Sequence, residues 1–378
     1  MKNNNRTNWM IYAVFLLAIP VDARADAGTA LMWAGMFHML LGNAIIGVIE
    51  AAVISRFFKV KYMRIVGVTI LANYFSAWAG FLLVGWTSRF SVPYGAGPGY
   101  VNIYNFRWFI WLAVAASFLA SIILEWPFYA WALRRGGYKS ASMFRSSFRA
   151  SVYAQTASYI LLLPWFYLVS GTGLFSAVTT DKTMSLVKSR DAVVYFISPQ
   201  RGAIYRVLPD GTGLQWVQES PFGKETKRLF LRPSSDKHGF DLWVEGANQR
   251  QTCVVEKQFG PAADPQEGWY KYNTLPWPHD FGPPLDLRPE NDRNWKVDIA
   301  FWPTVGVSGE NKKTGKFLSA GLETPFLAWE SRYGTVLPGD EVVYQLGNQI
   351  VILDLNQRKI GLIAMGRGPV VTLDRKRR

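Results

Sequence analysis

The chain has 378 residues, enough for two ordinary domains, and its single cysteine, Cys253, excludes an internal disulfide and a thiolate zinc site. Its formal charge of +14 is unevenly spread: residues 1–180 hold 14 Lys/Arg and 4 Asp/Glu, while residues 181–378 hold 27 and 23. The excess therefore sits beside apolar segments and reads as membrane topology, which excludes a nucleic-acid surface as its meaning; the terminal "RKRR" reads as a solvated tail.

The opening "MKNNNRTNWMIYAVFLLAIPVDARADAG" places Lys2 and Arg6 before an apolar stretch over residues 9–21, too short to span comfortably. Ala23 and Ala25 then give the small-x-small pattern of a signal peptidase site, so residues 1–25 are expected to be a signal peptide, with an extra N-terminal helix as the alternative. Residues 26–175 are expected to form a four-helix transmembrane domain with spans at about 28–55, 65–87, 107–133 and 150–172. Arg56, Lys59, Lys61 and Arg64 lie between the first two spans. Arg134, Arg135, Lys139, Arg145 and Arg149 lie between the last two. Positive charge stays inside, so both loops are cytoplasmic and the segment after residue 172 is outside.

The stretch "GNAIIGVIEAAVISRFFKVKYMR" puts a carboxylate, Glu50, inside an apolar run. At 1.5 Å per residue it sits about 9 Å from the basic edge, Asn73 and Glu125 about 13 Å, and Gln155 about 9 Å. Glu50, Asn73, Glu125 and Gln155 thus form one intramembrane polar layer, and Pro127 beside Glu125 is placed to kink the third span. A carboxylate facing lipid costs at least about 2.5 kcal/mol, so both acids are expected to face the bundle interior. There they are expected to be either protonated or paired with Asn73, Gln155, Ser158, Tyr159 or a basic side chain reaching up. The layer reads first as interhelical hydrogen bonding, second as a proton, ion or solute path, and third as a dock for a membrane partner subunit. Asn43, Gly47 and Glu50 share a helix face, where Gly47 allows close approach of a neighbour. His38, near the outer end of the first span, has no second histidine in any span and reads as an interfacial hydrogen-bonding group.

From residue 181 the pattern becomes short, β-branched and alternating: "AVVYFIS", "GAIYRVL", "FDLWVEG", "EVVYQLG", "QIVILDL", "PVVTLD", separated by turn formers. Residues 181–378 are therefore expected to be an all-β extracytoplasmic domain, propeller-like or a β-sandwich. The phrases "VVYFISPQRGAIYRVLPDGTGLQWV" and "EVVYQLGNQIVILDLNQRKIGLIAMG" resemble blades of β-propellers of the TolB or quinoprotein-repeat kind. That resemblance implies four or five blades of about 40–45 residues.

An insertion at about 259–304 is rich in Pro and aromatics. Trp269, Tyr272, Trp277 and Trp295, with Asp280, offer a platform for a sugar or peptide, since rings stack and carboxylates accept hydroxyl protons; Tyr270 and Asp286 lie nearby. The alternative is that these rings cap the β core. His279, Asp280 and the group Asp236, His238, Asp241 match no ligand spacing, and no nucleophile elbow, phosphate loop or dinucleotide fingerprint occurs. No enzymatic activity, cofactor or metal is expected. The expected protein is a multi-pass protein of the bacterial inner membrane. Its periplasmic β domain would be a binding, sensory or assembly module for a periplasmic protein or glycan. A small transport or permease component working at Glu50 and Glu125 is the alternative.

Overall fold

The computed structural model describes residues 29–89, 101–138, 142–182, 187–189, 191–233, 240–247, 250–259, 284–300 and 306–373. The expected signal peptide, residues 1–25, lies outside them. Four long helices come first: α1 (Ala30–Phe58), α2 (Tyr62–Arg89), α3 (Phe106–Arg135) and α4 (Met143–Val169). α1, α3 and α4 are long and apolar enough to cross a membrane. α2, at 28 residues, has the length but is not among the helices that meet that apolarity over the described residues. Thr29 caps α1, its hydroxyl accepting from the Met32 amide at 3.2 Å, and the helix contains a π turn at His38–Gly42. α4 begins at Met143 and not near 150, so Arg145 and Arg149 lie in its first two turns.

α1 packs on α2 and α4, α2 on α3, and α3 on α4. Their shared core is made of small and branched groups, Ala51, Ile54, Ile65, Val68, Ala132, Leu133, Ala150 and Ala154. Large apolar side chains such as Trp108, Leu112, Leu119, Ile123, Leu161 and Leu168 point outward and are exposed. Small residues inside with large apolar ones outside is the arrangement helices adopt when the surrounding solvent is hydrocarbon. Eight cations, Arg56, Lys59, Lys61, Arg64, Arg134, Arg135, Arg145 and Arg149, are all exposed at the end where α1 meets α2 and α3 leads to α4.

Gly47 carries the closest helix contact. A Cβ there would stand 2.6 Å from the Ile70 Cα and 2.7 Å from its nitrogen. Gly47→Ala must push α1 and α2 apart, and overpacking of this kind costs about 1–3 kcal/mol. The expected result is a lower unfolding midpoint for the full chain in detergent; an unchanged midpoint would mean the two helices do not meet there.

The β domain consists of antiparallel meanders. One is the sheet Ala192–Ile197, Ile204–Val207, Gln215–Gln218, with the chain's last described strand, Arg367–Leu373, added beside the first. A second is Arg228–Pro233, Phe240–Glu245, Gln251–Phe259. A third is Trp295–Ala300, Gly306–Asn311, Phe317–Ala320. The fourth and largest runs Ser331–Leu337, Glu341–Leu346, Gln349–Asp354, Lys359–Met365. Two short parallel strands, Thr179–Thr180 and Leu285–Asp286, complete its edges. The run "KIGLIAMG…PVVTLD" is thus divided between two sheets: Gly366 separates the strands, and Gly368, at a φ of 58°, lies where the register of the second one shifts. The expected insertion at 259–304 is shorter on its C-terminal side, since Trp295–Ala300 forms a regular strand.

The boundary expected between residues 175 and 181 is bridged by a continuous apolar core. Ile103, Phe106 and Ile110 at the start of α3, and Leu174 and Val178 after α4, pack with Trp329, Val342, Tyr344, Leu346 and Val351 of the β domain. The Phe106 ring lies 5.0 Å from Phe175 and 5.7 Å from Trp329, centroid to centroid. Polar groups register the seam. The Ile103 amide donates to Gln349 Oε1 at 2.9 Å, and the Leu362 amide to the Tyr104 hydroxyl at 3.1 Å. Gly171 and Glu323 exchange both backbone hydrogen bonds at 2.9 Å. Arg107 donates to the carbonyls of Leu174, Phe175 and Val178 at 3.2–3.3 Å. The Thr29 hydroxyl donates to Glu323 at 2.5 Å; burial raises the Glu323 carboxyl above its ordinary range and this hydrogen bond offsets part of that. At Gly173 a Cβ would meet the Ser319 carbonyl oxygen at 2.2 Å, so only glycine allows α5 (Gly173–Ser176) to lie this close to its strand.

Candidate functional site

The helix faces that pack together bring the expected polar layer into one hydrogen-bonded cluster. Glu50 comes from α1, Asn73 from α2, Glu125 from α3 and Gln155 from α4, and all four are buried, Glu50 at 0% and Glu125 at 1% exposure. Asn73 Nδ2 donates to Glu50 Oε2, and Gln155 Nε2 donates to Glu125 Oε2 at 2.6 Å and to Glu50 Oε1 at 3.3 Å. Ser158 Oγ donates to Glu50 Oε1 and Ser76 Oγ to Glu125 Oε1, each at 2.5 Å. The two acids meet through Tyr129. Its hydroxyl lies 2.7 Å from Glu125 Oε2 and 2.8 Å from Glu50 Oε2, and the side chain is fully buried. No cation appears among these contacts.

Ser76 and Tyr129 are absent from the partners expected from sequence. The signal for Tyr129 was its spacing, four residues beyond Glu125, which places both on one helix face. Tyr159, expected as a partner, instead faces Ser117 Oγ at 3.1 Å. Pro127 lies inside α3 between Glu125 and Tyr129 and leaves the Ile123 carbonyl without its amide partner. His38 sits in the π turn with its ring edge-on to Phe166 at 5.6 Å. One turn below the layer, the Thr69 hydroxyl donates across the interface to the Gly47 carbonyl at 2.8 Å. The glycine contact and the polar cluster therefore hold α1 against α2 together.

Of the expected ligand platform, Trp269, Tyr272, Trp277 and Asp280 lie outside the described residues, as does Tyr270. Trp295 does not present a face for stacking. It is 3% exposed, packs in the core under the largest sheet, and donates through Nε1 to Asn356 Oδ1 at 2.9 Å. Its position on a strand between Gly306–Asn311 and the core explains this: alternate residues of that strand point inward, and Trp295 begins the inward set. Asp286 is occupied by the buried Arg288 guanidinium, which donates to both its oxygens at 2.8–2.9 Å, to Asp340 at 2.5 Å and to the Trp295 carbonyl at 2.8 Å. Acidic bonds of this number hold the Arg288 guanidinium above its ordinary range despite burial. Asp236, His238 and His279 lie outside the described residues. Among the described residues, no group of three His, Cys, Asp or Glu side chains is arranged to hold a metal ion.

No protein-family model matches the chain, and no curated protein matches it. Among solved structures, the crystal structure of the tricorn protease is similar to 46% of this chain at 13% identity and a TM-score of 0.17. The match spans 16% of that protein's chain, and a likeness this low carries no argument about fold or activity.

Proposed function

We propose that the chain is a multi-pass protein of the bacterial inner membrane, with four spans formed by α1 to α4, and that its β domain is a periplasmic binding, sensory or assembly module. The observation that carries this reading is the placement of the two ends of the bundle. The β domain is seated where α3 begins and α4 ends, and the eight exposed cations lie at the opposite end. Cationic loops are retained in the cytoplasm, which puts the β domain outside. At about 42 Å, α2 has the length for a hydrocarbon core of about 30 Å, and its polar Asn73 and Ser76 are turned inward to Glu50 and Glu125.

The β domain is read as an irregular propeller whose blades are its four larger sheets, with the two-stranded sheet of Leu322–Glu323 and Ala328–Trp329 beside them. Pairing of Arg367–Leu373 with Ala192–Ile197 supports this, since it joins the last strand to the first as closure of a ring requires. Surface for a periplasmic protein or glycan remains on the faces turned away from the seam. The open edge strand Gln215–Gln218 carries the exposed Trp216, with Leu214 exposed just before it.

A phosphatase reporter that folds only outside the cytoplasm, fused after Arg378, is expected to be active in whole cells. A reporter that works only in the cytoplasm is expected to be silent, and the reverse pair of results would overturn the topology. A photo-crosslinking residue replacing Trp216 in the full-length protein tests the binding role. A discrete protein or glycan adduct is expected in intact cells; adducts to lipid alone would count against it.

A further inference from the structure

We propose that the Glu50–Tyr129–Glu125 cluster is a proton-binding site, in which at least one proton beyond the tyrosine's own is held between two carboxyl groups at neutral pH. The inference does not depend on what the β domain binds.

The hydrogens available in the cluster can be counted. An amide nitrogen brings two protons, and the amides here have one for each contact they make: Asn73 Nδ2 reaches Glu50 and the Thr69 carbonyl, Gln155 Nε2 reaches Glu50 and Glu125. A hydroxyl brings one. Tyr129 lies within 2.8 Å of two carboxyl oxygens, one from each acid, and has a single proton to give. If it donates to one acid, the contact with the other closes only when that carboxyl donates back. With both acids ionised, two oxygens without a proton would face each other at hydrogen-bond distance in a buried site, where an unmade hydrogen bond carries its full desolvation cost. The serines have no proton to spare. Ser76 Oγ faces Glu125 at 2.5 Å and the Asn73 carbonyl at 3.1 Å. Ser158 Oγ faces Glu50 at 2.5 Å and the Ala154 carbonyl at 3.1 Å. Each hydroxyl proton goes to the carboxyl at the shorter contact, so the serines cannot supply the proton that Tyr129 lacks.

Among the described residues, none facing the pair supplies a charge that would substitute for the proton. The groups facing the pair are Asn73 and Ser76 from α2, Tyr129 from α3, and Gln155 and Ser158 from α4, all neutral. The cations nearest in sequence, Arg56, Arg64, Arg134 and Arg149, are exposed at the basic end of the bundle. Occupancy by a proton closes the contacts of Tyr129 with both acids. Loss of that proton leaves two like charges on either side of one hydroxyl.

The test is infrared spectroscopy of the full-length protein reconstituted in lipid at neutral pH. The carbonyl stretch of a protonated carboxyl is expected in the wild type and lost in the Glu50→Gln, Glu125→Gln double variant, which keeps the side-chain shapes. Isotope labelling of Glu identifies the band without mutation. Tyr129→Phe removes the bridge and is expected to shift the band, because the carboxyl loses its hydroxyl partner. Should the double variant not fold, as judged by gel filtration, the Tyr129→Phe shift decides. A wild type with no such band, a band unchanged in the double variant, or a band unmoved by Tyr129→Phe would each overturn the proposal. So would a spectrum with two ionised carboxylates that responds to sodium in place of pH.

Discussion

Phe106→Ala is expected to remove about 3–5 kcal/mol from the stability of the β domain in the full-length chain, the usual cost of emptying a buried aromatic site. The size of the effect follows from where the ring lies. Although Phe106 is the first residue of a helix long and apolar enough to cross a membrane, it is 1% exposed and touches Phe175, just after α4, and Trp329 on the far side of the seam. Its loss opens a cavity bounded by both parts of the molecule, and the Ile103 and Tyr104 hydrogen bonds to Gln349 and Leu362 lose the packing that registers them. Hydrogen exchange of the strands Glu341–Leu346 and Gln349–Asp354 is the measurement. Faster exchange confined to the largest sheet is expected in the variant, with the bundle helices unaffected. Exchange identical to wild type would mean that the domain holds its fold without the helix. Expression of residues 181–378 alone is expected to fail for the same reason, because it leaves Trp329, Tyr344 and Val351 without Ile103, Phe106, Leu174 and Val178.

Glu50→Leu is the second. It removes the acceptor for Asn73, Ser158, Tyr129 and Gln155 at once. At about 0.6 kcal/mol for each interhelical hydrogen bond in a membrane protein, the four together come to about 2–3 kcal/mol. The opposing gain is the apolar side chain itself, which does not compensate inside a bundle already lined with donors. Unfolding of the full chain in mixed micelles should show this loss for Glu50→Leu and less than about 1 kcal/mol for Glu50→Gln, which still offers an oxygen. Equal stability of both variants would show that the cluster does not hold the helices together.

The division of the chain into apolar helices and a strand-built domain was legible because period and composition are local properties. The level shared by Glu50, Asn73, Glu125 and Gln155 was legible too, because helical rise is linear and the basic residues mark one end. Tyr129 was harder. A tyrosine in an apolar helix fits a headgroup anchor or a plain core residue equally well, and only its spacing from Glu125 sets it apart. The seam was not legible at all. Ile103, Phe106, Leu174 and Val178 are as apolar as side chains that face lipid, and hydropathy does not separate a hydrocarbon neighbour from a protein one. Trp295 failed for a related reason: its inward direction depends on pairing with Gly306–Asn311, which a Pro-rich sequence context conceals. The pairing of the last described strand with Ala192–Ile197 joins residues 170 or more apart and leaves no local trace.

α3 ties these parts into one lever. Its first turn is embedded among the strands of the β domain, while Glu125, about 28 Å further along, and Tyr129, one turn beyond it, touch the other three helices. A pivot of about 10° at the carboxyl level would carry the Phe106 end sideways by about 5 Å, a full side-chain width. Because the ring is wedged between Phe175 and Trp329, that displacement has nowhere to dissipate and must be passed to the sheet as a whole.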